Sequence, residues 1–357
     1  MKVLLKEIIN FFFILLLLPF CLLIFFLKYK KVTNSDLVIY HKNGGFGHSF
    51  TAQDLIRYIF PYKKIIYLQF FDSSRFNKYL NKIFNNQIIL IPTVIYFPFL
   101  NIKFGEYEGS FFNIIEKIII FFLKKKMSTE QFYAFIERKY INYKIKRSSV
   151  YKYIDIYFFL IKKNKVNLNL DFASNKYNFF KGKKLCTIYL RQKYSINDFS
   201  NSARSGSSDP KVYFNMIDYL IKKNYIIYLV GEDVFTTKDM TFFKGKVMDY
   251  RSSNLGKKYF QIYASVNCDL FISEAGGGHW FGLYAKKSIL INCLPYGYRP
   301  FNFKKILYKK VVDRNNVVMS YKKATKNFYL SYEKIKNYKV INNSSKELLK
   351  IVESVVR

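Results

Sequence analysis

What most constrains this chain is a repeated local pattern. A short apolar run of strand length stops at a glycine or a charged residue and is followed by apolar residues at helical spacing. Residues 185–190 form such a run and stop at Arg191, residues 225–230 stop at Gly231-Glu232-Asp233, and residues 269–274 lead into Ala275-Gly276-Gly277-Gly278-His279. Alternation of strand-length runs with helical stripes predicts a parallel sheet covered by helices, an α/β fold. In open sheets of this kind ligands bind beyond the carboxyl ends of the strands. The residues at which the runs stop are therefore the first candidates for a site.

The stretch 269–285 joins a strand, three consecutive glycines and an apolar segment able to start a helix. Glycines let a ligand approach the main chain, and the N–H groups of Gly276, Gly277, Gly278 and His279, with the positive end of a helix dipole, suit a phosphate. The competing reading is a tight turn and nothing more. Arg191 carries a planar fork of donors that clamps phosphate, or else it makes a surface salt bridge. Arg204 lies in the polar loop 193–208. Gly231 and the acids after it either contact a ribose hydroxyl or only make the turn.

A second strand, glycine turn, helix unit lies near the start: residues 37–41, then Asn43-Gly44-Gly45-Phe46-Gly47-His48, then Ser49 as cap before Ala52, Leu55, Ile56 and Ile59. The turn is not G-x-G-x-x-G, so a dinucleotide fingerprint is not supported. It lets an acceptor or a phosphate approach, with His48 at the helix start. Strands are expected over 64–70 and 87–91, a helix over 73–84, and more helix between 128 and 163. Residues 111–123 are too short to span a bilayer and form a core helix or a membrane-surface helix. Asp209-Pro210 caps a helix, a stripe at 255–266 makes another, and 345–355 reads as a terminal amphipathic helix.

Residues 8–27 are uncharged, strongly apolar and long enough to span a bilayer, and Lys28, Lys30 and Lys31 follow. A retained transmembrane anchor with a cytoplasmic body is the expectation. Polar and basic residues at 176–184 suggest a linker, giving an anchor at 1–32, domains at 33–178 and 179–340, and a C-terminal helix at 341–357. Lys+Arg 59 against Asp+Glu 24 gives a net charge of +35, which favours polyanions or an anionic membrane. The basic residues are nevertheless scattered among Ile, Asn, Tyr and Phe, as A/T-rich codons alone would produce, and no nucleic-acid module appears. Four cysteines without a C-x-x-C pair point to a reducing compartment and away from structural zinc.

The order of strand and Arg191, loop with Arg204, Asp209 helix, strand and Gly231, Asp249-Tyr250, Phe271-Ile-Ser-Glu-Ala-Gly-Gly-Gly and Asn292 resembles the GT-B class of glycosyltransferases. Bacterial surface-polysaccharide members are the nearest match, over residues 187–295. Departures are Ser205 where an Asn is usual, Val230 where a basic residue is usual, and a third glycine where Ser-Gly is common. The resemblance implies two Rossmann-like domains facing a cleft, the C-terminal one binding a nucleotide-sugar donor and the N-terminal one a glycan or lipid-linked acceptor. It implies Glu274 on the ribose hydroxyls, with His279 as a donor contact or a helix-start residue.

No Asp-x-Asp motif is present to hold a metal on the diphosphate, so a metal-independent reaction is expected. Arg191, Arg204 and the glycine-turn N–H groups would neutralise the leaving group. His48 is the first choice of base, because its unperturbed pKa lies near working pH, and Asp72 the second. Gly44, Gly45 and Gly47 would form the acceptor-side loop. No cofactor is expected beyond the nucleotide-sugar substrate, no specific nucleic-acid partner either, and the location would be the inner membrane. The alternatives are a non-catalytic, membrane-anchored polyanion-binding protein, or another GT-B chemistry such as a sugar-nucleotide epimerase or a pyruvyl transferase.

Overall fold

The computed structural model describes residues 2–41, 46–72, 79–84, 87–97, 102–104, 112–145, 152–163, 183–191, 209–253, 255–293, 305–320, 322–324 and 339–356. The chain divides into two compact units, Met1–Tyr143 and Lys144–Arg357. Both are α/β with parallel sheets.

The first unit runs α1 (Lys2–Thr33), β1 (Leu37–His41), α2 (Phe46–Ile59), β2 (Ile65–Asp72), α3 (Leu80–Phe84), β3 (Gln87–Phe97), β4 (Ile102–Phe104), α4 (Phe112–Phe121), β5 (Lys126–Ser128) and α5 (Thr129–Lys139). Its sheet order is β4-β3-β2-β1-β5, parallel except for the β3–β4 pair. Val38, Ile66, Leu68 and Ile89 on the strands make one buried layer with Ile119 and Leu123. Ser128 caps α5 through a reciprocal pair with Gln131. Thr129 then donates its hydroxyl to the Tyr40 carbonyl at 3.0 Å, tying the start of α5 to the end of β1. Helix α2 begins at Phe46, three residues ahead of the expected Ser49 cap, so Gly47 and His48 lie in its first turn.

Among the described residues no helix is long and apolar enough to cross a membrane, and the expected transmembrane anchor is not supported. The second half of α1 has another task. Its Cys21, Phe25 and Val32 are buried against the sheet and α4, completing the unit's own core. Apolar residues that sequence alone assigns to lipid are here divided between a core face and an exposed face.

The second unit runs α6 (Lys152–Lys163), β6 (Lys184–Leu190), α7 (Phe214–Lys222), β7 (Tyr225–Gly231), α8 (Thr237–Thr241), β8 (Val247–Met248), α9 (Lys257–Val266), β9 (Leu270–Glu274), β10 (Lys287–Cys293), β11 (Lys305–Tyr308), β12 (Lys310–Val312), β13 (Lys339–Ile341) and α10 (Ser345–Glu353). Helix α6 belongs here, with Tyr157 and Phe158 against Trp280, and not with the first domain that a boundary at 178/179 implied. The six-stranded sheet has the order β11-β10-β9-β6-β7-β8, all parallel, and β12–β13 form a separate antiparallel pair.

Every residue of β9 is buried and nearly every one of β6, β7 and β10, which is why these strands read as continuous apolar runs. Asp209 accepts from the Lys211 N–H at 2.9 Å and starts a 3-10 turn, Pro210–Tyr213, that feeds α7. Met216, Ile217 and Leu220 of α7 share one core cluster with the strands and with Leu348 and Val352 of α10. All four cysteines are free and buried: Cys21 in the first unit, Cys186, Cys268 and Cys293 in the second.

Candidate functional site

In its own chain order the second sheet reads 3-2-1-4-5-6, and the order reverses between β6 and β9. Connections from these two strands leave in opposite directions, opening a crevice at their carboxyl ends. Arg191 is the first residue after β6. Its N–H donates to Glu274 Oε2 at 2.8 Å, and its Nη1 donates to the Ala275 carbonyl at 3.0 Å. Both partners belong to the end of β9, so the half-buried guanidinium is held across the switch point itself.

Glu274 is fully buried. Besides Arg191, it accepts from the Tyr213 hydroxyl at 2.7 Å and from Asn292 Nδ2 at 2.8 Å. Burial raises its carboxyl pKa, and these donors together with the nearby Lys309 oppose the rise. Lys309, only 4 % exposed, has its ammonium brought down to about 8 by burial, with Glu274 pulling the other way. Asn292, at a left-handed φ of 48°, accepts from the Asn343 N–H at 2.9 Å, and Asn343 donates to the Tyr308 carbonyl. A carboxylate engaged on three sides within the protein is not presented to a ribose. Glu274 is a positioning residue that fixes the backbone of Arg191.

The glycines also make room for neighbouring side chains. A Cβ on Gly276 would lie 2.7 Å from Arg191 Cδ and 3.2 Å from the Tyr189 hydroxyl. One on Gly278 would come within 2.8 Å of three Tyr189 ring atoms. Gly231 has φ +96°, and a Cβ there would strike the Leu190 carbonyl oxygen and approach the same ring at 2.9 Å. Space freed by the glycines is thus filled by Tyr189 and Arg191, and Tyr189 is wedged between β7 and the glycine turn. The segment after the turn is a seven-residue 3-10 helix, Gly277–Leu283, rather than the expected α-helix. So short an element sums few peptide dipoles, and the electrostatic weight of the crevice rests on Arg191.

His279 is buried, with Nδ1 against the Gly276 backbone and the Gly276 N–H at 3.2 Å. Burial, aided by the Arg191 charge and opposed by the Gly276 backbone, lowers its pKa to about 4, so the ring is neutral at neutral pH. Its ring lies 4.6 Å from Trp280, which rests in turn on Tyr157 and Phe158. His279 therefore braces the turn.

Next to the switch point, a shallow hollow open to solvent lies at the ends of β6 and β7, lined by Gly231, Asp233, Tyr250, Lys257 and Phe260 among others. Lys257 Nζ pairs with Asp233 Oδ2 at 2.8 Å and lies 5.2 Å from the centre of the Tyr250 ring, whose hydroxyl reaches Asp233 Oδ2 at 3.4 Å. Arg251 grips Asp249 through Nε and Nη2 and the Phe235 carbonyl through Nη2. Lys257 escaped the sequence reading. Its only signal was a lysine at the start of the 255–266 stripe, which ordinarily marks a solvated helix end.

In the first unit β1 lies between β2 and β5, so its carboxyl end also lies at a switch point. Gly47 and His48 follow in α2, and Asp72 ends β2. Gly44, Gly45 and Arg204, and the side chains of His48 and Asp72, lie outside the described residues. Among the described residues no three His, Cys, Asp or Glu side chains come together as a metal site.

Fold and site together define a doubly wound α/β domain with a crevice at its switch point, the place where sheets of this kind bind ligands. No protein-family model matches the chain, and no curated protein does. Among solved structures, the chain is similar to the E. coli heptosyltransferase WaaC with ADP-2-deoxy-2-fluoro heptose, at TM-score 0.42 and 9% identity over 78% of this chain and 94% of that one. It is also similar to the iron-containing dodecameric glycosyltransferase TibC from enterotoxigenic E. coli, at 0.41 and 7% over 90% and 76%. The wall teichoic acid polymerase TagF scores 0.26 at 8% identity over 98% and 96%. At such scores these likenesses carry no weight beyond their mention.

Proposed function

We propose that this chain is a GT-B-type glycosyltransferase that moves a sugar from a nucleotide-sugar donor to a glycan or lipid-linked acceptor in surface-polysaccharide synthesis. The observation that carries the proposal is Arg191, braced across the switch point of the second sheet beside a hollow lined by Gly231, Asp233, Tyr250 and Lys257. The hollow suits a nucleoside, with the Tyr250 ring as a stacking face and Asp233 as acceptor for ribose hydroxyls. Arg191 faces the diphosphate, with Arg204 as the second candidate cation.

In the reaction an acceptor hydroxyl oxygen bonds to the anomeric carbon as the bond from that carbon to the diphosphate oxygen breaks. The electron pair leaves on the phosphate, where the guanidinium offsets the developing charge. The hydroxyl proton passes to a base, His48 in first place and Asp72 in second. Charge neutralisation by arginine, in place of a divalent ion, follows from the lack of an Asp-x-Asp pair in the sequence. Four free cysteines are in keeping with a body on the cytoplasmic side.

A thermal-shift screen of the full chain against UDP-, GDP-, CMP-, dTDP- and ADP-linked sugars identifies the donor, since a ligand that binds only the folded state raises the melting temperature. Calorimetry then compares the parent with Arg191→Ala. The expected loss is at least about tenfold in affinity, as for a charge-assisted phosphate contact. Unchanged affinity overturns the clamp, and the absence of any nucleotide-sugar binding overturns the proposal.

A further inference from the structure

The large exposed apolar residues of the described surface are mostly scattered, with one concentration on α1 and the end of α4. Phe20, Leu23, Phe26 and Leu27 are exposed on α1, and Phe121 and Phe122 at the end of α4; Leu27 is 72% and Phe121 79% exposed. The two groups are continuous. The Phe26 ring meets Phe122 edge-on at 5.5 Å, and Phe122 meets Phe121 at 5.7 Å.

At roughly 100° per residue, the exposed α1 residues fall on one side of the helix and the buried Cys21, Phe25 and Val32 on the other. The core face is satisfied by the sheet. The outer face is equally apolar and is left exposed among the described residues, where an ordinary surface helix would turn polar.

The rim of this patch is basic. Lys28, Lys30 and Lys31 follow Leu27 directly, Lys124, Lys125 and Lys126 follow Phe122 closely, and all six are exposed. Residues 18–31 and 117–126 contain no Asp or Glu. Because Phe26 touches Phe122, the two lysine groups lie at the same end of the patch. Two like-charged copies of such a rim repel, which argues against self-association through it, and a bare polyanion would leave the rings uncovered.

We infer that the outer face of α1 with Phe121 and Phe122 docks this chain in the plane of an anionic bilayer surface. The rings and leucines enter the boundary between headgroups and acyl chains, and the lysines stand level with the lipid phosphates. The inference stands on the first unit alone and is independent of the donor chemistry proposed above.

Flotation of the full chain with vesicles tests it, using phosphatidylcholine alone and phosphatidylcholine with about one-third phosphatidylglycerol. Binding to the anionic vesicles is expected to be at least about tenfold stronger and to weaken with salt. Phe121→Ser with Phe122→Ser, and separately Lys124→Ser with Lys125→Ser and Lys126→Ser, are each expected to lower the partition coefficient about tenfold or more. A charge-matched control, Lys222→Ser with Lys223→Ser and Lys238→Ser on the second unit, leaves it within about twofold. Far-ultraviolet circular dichroism, which reads both units, checks that each variant is folded.

Three results overturn the inference: equal binding to both vesicles, an equal loss in the control, or bound chain that survives alkaline carbonate, which would mean insertion rather than surface docking. Loss of a dimer, instead of lipid binding, in the Phe121/Phe122 variant also refutes it.

Discussion

Replacing Gly278 with alanine tests how the crevice is built, because the new methyl has nowhere to go unless Tyr189 moves. Three atoms of that ring lie within 2.8 Å of the position a Cβ would take. Ordinary carbon contacts are about 3.5–4.0 Å, so the ring must retreat by about 1 Å. Overpacking of this kind costs about 1–3 kcal/mol, and three ring atoms well inside contact distance point to the upper part of that range. Against it stands a gain of about 0.4–1 kcal/mol from the stiffer unfolded chain, available because Gly278 has no left-handed φ.

The expected net destabilisation is therefore about 2 kcal/mol. With Tyr189→Ala already present, the obstruction is gone and Gly278→Ala becomes neutral or mildly stabilising, a coupling of about 2 kcal/mol or more. Urea unfolding followed by Trp280 is the assay. The chain has one tryptophan, and it lies in the second unit, so its signal follows that unit even if the two unfold separately. Equal costs in the two backgrounds, or a cost below about 0.5 kcal/mol in the parent, would refute the wedge.

Other outcomes can be checked with the same signal. Burial holds His279 at about 4 in the folded chain against an ordinary 6.5. Between those values the unfolded chain carries a proton that the folded chain lacks, so His279 makes stability fall as pH drops from 6.5 towards 4, by up to about 3 kcal/mol. His279→Gln removes that part of the slope, and coincident pH profiles of parent and variant would rule it out. Glu274→Gln turns an amide NH₂ toward inward-facing donors and leaves Lys309 without its countercharge; a cost of about 2–3 kcal/mol is expected, and a neutral result would show that Glu274 is no hub. Ser344→Ala removes the reciprocal cap with Glu347 at the start of α10 and should cost about 1 kcal/mol, with no change meaning that solvent replaces the cap.

Strands β1, β6, β7 and β9 were legible in the sequence to within a residue or two, because a strand covered on both faces must be apolar throughout. Arg191 was legible for the same reason: a charge that ends such a run can lie only at the sheet edge. What fills the glycine gaps was not legible. Tyr189 looks like one more strand residue, and only the β6–β7 and β6–β9 pairings reveal that its ring lies between Gly231 and Gly278. Lys309 comes near Glu274, and Asn343 reaches Asn292 behind it, from distant parts of the chain, and no local pattern marks a lysine for burial. At α1, periodicity was uninformative because both faces are apolar, and only contact with the sheet separates the core face from the exposed one.

The buried cysteines give each unit its own clock. A thiol reacts as the thiolate, and burial pushes Cys186 well above its usual range and Cys268 and Cys293 up to about 12. At neutral pH an alkylating reagent therefore meets these sulfurs only when the surrounding structure opens. Alkylation rates, referred to those of the unfolded chain, read out opening free energies under native conditions. Cys21 reports where α1 leaves its sheet, and the other three report the second sheet. The two halves of the chain can then be ranked for stability in one mass-spectrometric time course, without denaturant.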